Sequence, residues 1–128
     1  MEIKQVLTDK APAPGGHYSQ AIIHNGLVYV SGQLPIDPAT GEKILSSIEA
    51  QTEQALKNVS EILKAAGSDL SRVLKMTVYI SDIDLWSAVN SVYARVMGQA
   101  RPARAIVPTK ELHYGFQIEI EAIAATAV

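Results

Sequence analysis

Val73-Leu74-Lys75-Met76-Thr77-Val78-Tyr79-Ile80 is the stretch on which the fold turns. β-branched and aromatic residues are frequent in it, which suits a pleated strand. Side chains alternate across a strand, so Leu74, Met76, Val78 and Ile80 fall on one face and Lys75, Thr77 and Tyr79 on the other. Helical periodicity flanks the stretch on both sides. A strand between two helices points to a sheet that helices cover on one side.

Upstream, the spacing predicts a helix over about Ile48 to Ala66. Ser46 and Glu49 have the S-x-x-E spacing of a capping box, in which the serine and the glutamate each satisfy a backbone N–H. Ala55, Leu56, Val59, Ile62, Leu63 and Ala66 recur at helical spacing, and Gly67 suits the left-handed residue that ends a helix. Downstream, a second helix is expected over about Leu85 to Met97, capped by Asp82 or Asp84 and ended by Gly98. Its apolar stripe is Leu85, Trp86, Val89, Val92, Tyr93, Val96 and Met97, and Trp86, Val89 and Tyr93 read as core.

Further out, residues 21–31 read as a β-hairpin. Ala21-Ile22-Ile23 and Leu27-Val28-Tyr29-Val30 flank Asn25-Gly26, a pair that tolerates the positive φ angles of a type I′ turn. Pro35 to Gly41 is turn-rich, and Ala11 to His17 is a loop because its prolines and glycines prevent regular structure. Ala103 to Val107 and Gln117 to Ala124 read as strands, with Lys4 to Thr8 as a further one. The order β-β-β-α-β-α-β-β predicts an α+β fold: one mixed sheet, both helices on one face, one domain over residues 1–128. The opposite face carries Lys75, Thr77, Tyr79, Gln117, Glu119 and Glu121. Solvent or copies of the same chain would cover such a semi-polar face.

Composition narrows the function. The chain has 128 residues, 48% hydrophobic, with a formal net charge of −2. That suits a packed domain and gives no basic field to attract nucleic acid. It has no cysteine, so disulfides, thiolate nucleophiles and cysteine-based zinc sites are excluded. His17, His24 and His113 lack metal-ligand spacing, and no metal site is expected. The N-terminus lacks a signal-peptide pattern, and no apolar run approaches the roughly 20 residues of a membrane span. A cytoplasmic protein is the expectation.

Two side chains carry chemistry. Arg104, in Arg101-Pro102-Ala103-Arg104, offers a fixed fork of donors that matches a carboxylate. Glu121, in Ile118-Glu119-Ile120-Glu121-Ala122-Ile123-Ala124, can orient or deprotonate a water. Together they describe a small pocket that holds an acidic metabolite and brings water to it. Each also has a plain structural reading. Arg104 can pair with a neighbouring subunit, and two glutamates alternating with apolar residues suit any half-exposed strand.

These motifs, with Tyr18-Ser19-Gln20, the run from Ser31 to Gly41 and Val89-Asn90-Ser91-Val92-Tyr93, occur in an order and spacing that resemble the reactive intermediate deaminase (Rid, YjgF-like) family. The resemblance runs from about Ala11 to Ala124. It implies a chorismate-mutase-like fold, a homotrimer with clefts between subunits, and hydrolysis of 2-imino acids to 2-keto acids and ammonia without a cofactor. Arg104 matches the arginine that grips the substrate carboxylate, and Glu121 is assigned to the attacking water, leaving Glu119 structural. Tyr18, Ser31 and Asn90 match other cleft positions, with the backbones of Gly32 and Ile106 meeting the substrate. Ser31 lacks a nucleophile-elbow setting and is expected to hydrogen-bond. Asn90 suits a packing or subunit contact equally well.

The chain departs from the family at His17, at Ile106, where a cysteine is usual, and at His113-Tyr114, where Pro-Lys is usual. The last change falls at the expected cleft rim and bears on substrate choice. Two other functions stay open at this point: a non-catalytic, small-carboxylate-binding regulatory trimer, and an endoribonuclease or translation inhibitor, against which the charge argues.

Overall fold

The computed structural model describes residues 2–127. Six strands form one sheet: β1 (Lys4–Val6), β2 (Ala21–His24), β3 (Leu27–Gln33), β4 (Val73–Ile80), β5 (Ala103–Pro108) and β6 (Ile118–Ala125). Their spatial order is β1-β2-β3-β6-β4-β5, with β4 and β5 parallel and every other pair antiparallel. Helices α1 (Ile48–Ala65) and α2 (Trp86–Met97) pack on one side of it. The expected α+β architecture and element order are therefore present. No described helix is long and apolar enough to cross a membrane.

The hairpin forms as its turn residues require. His24 pairs with Leu27 across Asn25 and Gly26, whose φ angles are 53° and 79°. Helix α1 buries Ala55, Leu56, Val59, Ile62 and Leu63 against the sheet, each fully excluded from solvent. It ends in a Schellman motif, in which Ser68 N–H donates to the Leu63 carbonyl, Gly67 N–H to Lys64, and Gly67 has φ 76°.

Four expectations shift. The α1 cap is Ser47, not Ser46: the Ser47 Oγ accepts from Ala50 N–H at 3.1 Å, so the predicted capping box is one residue out of place. In β4, Val73 is buried and Leu74 is 49% exposed. An irregularity in the pairing with β6 between Val73 and Lys75 breaks simple alternation there. Trp86 is 39% exposed and leaves the core to Val89, Val92, Tyr93 and Met97. Gln117 does not lie on the open face; its Oε1 accepts from Gln51 of α1 at 3.2 Å, and Gln51 Oε1 accepts from Gln117 N–H at 2.9 Å.

Two buried amides fix the loops that later form a cleft. Gln20 accepts from Thr8 N–H at 2.7 Å and donates to the carbonyls of Thr8 and Pro12 at 3.0 and 2.9 Å. Asn58 of α1 donates to the carbonyls of Leu34 and Ile36 at 3.1 and 3.0 Å. Buried backbone acceptors are thus satisfied where the chain leaves the sheet.

The face away from the helices is uncovered within one chain. Cross-strand pairing aligns Tyr29 with Ile22 and Ile123, and Tyr79 with Val107 and Glu119. Tyr29 and Val107 are exposed. This face is more apolar than its polar residues alone suggest.

Candidate active site

The expected site residues fall into two groups. In the first, Tyr18, Ser31, Gly32, Leu34, His113 and Glu119 line one cleft. Ser31 Oγ donates to the Ser19 carbonyl at 2.6 Å, and Ser31 N–H donates to Gln20 O at 2.9 Å. Ser31 thus ties β3 to the Tyr18 segment, the hydrogen-bonding role its setting implies. The Tyr18 hydroxyl accepts from Gly15 N–H at 3.1 Å, which anchors a half-exposed aromatic wall.

A bulge shapes the floor of this cleft. Val30 pairs with Ala122 and Gln33 with Ile120, so Ser31 and Gly32 together face Glu121 alone. Bulges re-aim side chains and recur beside active sites. Here the Glu119 carboxylate lies against Gly32, where an added Cβ would overlap it. The absence of a side chain at Gly32 permits that close approach, and a larger residue there would push the carboxylate aside.

The two glutamates have different surroundings. Burial, and secondarily the charge of Glu121, push the Glu119 carboxyl above its ordinary range, against a smaller opposing pull from His113. Glu121 instead accepts a short hydrogen bond from the Tyr79 hydroxyl. That bond leads the causes that push the Tyr79 phenol upward. The expected division, with Glu121 in the cleft and Glu119 structural, does not match these surroundings: Glu119 is the carboxylate beside Tyr18, Ser31 and Gly32.

The second group centres on Arg104 of β5. Its Nη1 donates to Asn90 Oδ1 at 2.8 Å, and its guanidinium lies 4.7 Å from the Tyr93 ring centroid and 5.6 Å from that of Trp86. Asn90 is thus a packing partner of the arginine. Among the described residues no carboxylate forms an ion pair with Arg104. A half-buried cation held by rings and an amide keeps donors for an external anion. The buried Tyr93 hydroxyl nearby has no hydrogen-bond partner among the described residues. Ile106 follows on the same side of β5 and packs against the core.

Strand parity keeps the groups apart. Arg104 pairs with Met76, which is buried on the helix side, whereas Glu121 pairs with Thr77 on the other. Arg104 and Glu121 therefore leave opposite faces of the sheet, and the single pocket expected for them does not form within one chain. β3, which carries Gly32, lies three strand spacings from β5, about 14 Å at the usual separation. The sequence signs for Glu119 were weak, because residues 119 and 121 share a face and only the bulge distinguishes them. Of the two rings beneath Arg104, Tyr93 belongs to the core as expected, whereas Trp86 lies exposed beside the arginine.

A half-buried arginine without a carboxylate partner among the described residues, and a raised carboxyl beside a glycine floor, are the chemistry-bearing features of this small α+β protein. The family is shown by comparison. The Endoribonuclease L-PSP family profile matches residues 8–126, and the chain belongs to this RidA/YjgF-type family. A goat protein named 2-iminobutanoate/2-iminopropanoate deaminase is 46% identical over 93% of this chain and 87% of its own. The human protein of that name is 42% identical over 95% and 90%. Among solved structures, RidA from an Antarctic Psychrobacter superposes with a TM-score of 0.91 at 39% identity, covering 95% of this chain and 98% of the other. Yeast Mmf1 gives 0.94 at 35%, covering 98% and 99%.

Proposed function

We propose that this chain is a cofactor-independent deaminase that hydrolyses 2-imino acids to 2-keto acids and ammonia, in clefts shared between copies of a homotrimer. The observation that carries the reading is Arg104, an arginine seated on aromatic rings with no carboxylate partner among the described residues. The names of the goat and human relatives agree with it. The substrate's carboxylate takes the guanidinium fork, and its imine carbon faces the Glu119 cleft of a second copy.

The chemistry needs little beyond position and proton transfer. Glu119 takes a proton from water as the water oxygen bonds to the imine carbon, and the C=N π pair moves to nitrogen. Glu119 returns that proton to the nitrogen to give the carbinolamine, then relays the hydroxyl proton to the nitrogen as the C–N bond breaks and the C=O forms, so that ammonia leaves and Glu119 ends as it began. A carboxyl pushed upward suits both directions of transfer. We assign this role to Glu119 in place of Glu121, whose hydrogen bond from Tyr79 leaves it to tune its neighbour electrostatically. In this reading Tyr18 walls the site, and the backbones of Gly32 and Ile106 meet the substrate from different copies.

Two features support the shared cleft. The half-sites lie on opposite faces of one sheet, and the uncovered face carries Tyr29 and Val107 for a second copy to bury. The test couples the purified protein to a serine or threonine dehydratase with semicarbazide as a competing imine trap. Diversion of the intermediate to keto acid supports the reading. Binding of 2-keto acids without any such diversion would make the chain a carboxylate-binding protein instead.

A further inference from the structure

The cleft that holds Glu119 does not end there. A second depression shares Tyr18, Gly32, Leu34 and His113 with it and runs on beneath Pro12, Ala13, Ile36 and Tyr114. No Asp, Glu, Lys or Arg is among its lining residues. Its walls are flat. The His113 and Tyr114 rings stack with centroids 3.6 Å apart and planes inclined by 13°. Tyr114 also meets Phe116 edge-on at 6.0 Å and takes the Lys43 ammonium at 4.8 Å from its centroid. Tyr18 is fixed through its hydroxyl, with its ring against Gly16.

The backbone holds this stack in place. Tyr114 has φ 59°, a left-handed conformation uncommon for an aromatic residue, and Gly115 follows at φ 77°. Such a conformation persists when surrounding contacts determine it, and it clusters at ligand sites. Asn58 and Gln20 fix the opposite loops. The result is a preorganised slot with aromatic walls, its lining free of Asp, Glu, Lys and Arg, that leads away from the glycine floor.

We propose that this slot is the side-chain subsite, and that it selects 2-imino acids bearing a flat aromatic side chain over those with a methyl or ethyl group. Naming the ligand an imine rests on the deaminase reading; the subsite itself is testable without turnover. Aromatic pairs gain from stacking beyond area alone, and a ring fills a slot that a methyl group leaves wet.

The probes are phenylpyruvate and pyruvate, the keto-acid products of an aromatic and a small imine, titrated calorimetrically into the assembled protein. Phenylpyruvate is expected to bind about tenfold more tightly. In Tyr114→Gly, whose backbone suits φ 59°, the ratio is expected to fall to within about twofold. Equal affinities in the wild type, no binding of either acid, or an unchanged ratio in the variant would overturn the subsite. A preserved preference with no imine hydrolysis would leave the subsite standing and remove the deaminase reading alone.

Discussion

Arg104 and Glu119 carry different loads, and their variants separate them. Arg104→Ala removes the carboxylate fork and is expected to lower kcat/KM by about 100-fold or more, because hydrogen bonds to charged groups contribute about 1.5–3 kcal/mol each. Steady-state kinetics in the trapped-imine assay would read this, and near-wild-type kcat/KM would rule out the role. Arg104→Lys keeps charge without the fork and should recover little. For Glu119 the sign follows from its raised carboxyl. Between the ordinary glutamate range and the raised folded value, the folded chain holds a proton the unfolded chain has released. Stability is therefore full below that window and falls as pH rises through it. Glu119→Gln should raise Tm at pH 7, change it little at pH 4, and abolish most turnover. A Tm gain that grew toward acid pH would contradict the account.

At the scale of elements, the corrected helix cap gives a direct contrast. Ser47→Ala should cost about 1 kcal/mol in denaturant unfolding, whereas Ser46→Ala should be within about 0.5 kcal/mol of wild type. The β3 bulge predicts that Gly32→Ala displaces the Glu119 carboxylate and lowers activity more than it lowers Tm. These same elements show what was legible in the chain. The α1 helix could be read because Ala55, Leu56, Val59, Ile62 and Leu63 keep one helical stripe, and the hairpin because Asn25-Gly26 has a single favoured turn. Leu74 was misplaced because alternation fails at a pairing irregularity, which leaves no local mark. Glu119 and Glu121 could not be told apart for a related reason: parity puts both on one face, and only the bulge opposite Glu121 gives them different neighbours. Adjacent serines likewise left the cap ambiguous by one residue.

For the whole molecule, the sheet separates what the motifs seemed to join. Arg104 was legible as an anion site, but which residues share its pocket depends on strand parity and on what covers the open face. One chain displays two half-sites, and the account's central claim is that two copies complete each cleft. The most direct test mixes Arg104→Ala and Glu119→Gln chains, each nearly inactive alone, by unfolding and refolding them together in equal amounts. Random assembly places an intact arginine opposite an intact glutamate in about a quarter of the clefts, so about a quarter of wild-type activity should return. If the mixture assembles but stays as inactive as its parents, the cleft is not shared between copies, and the account is wrong.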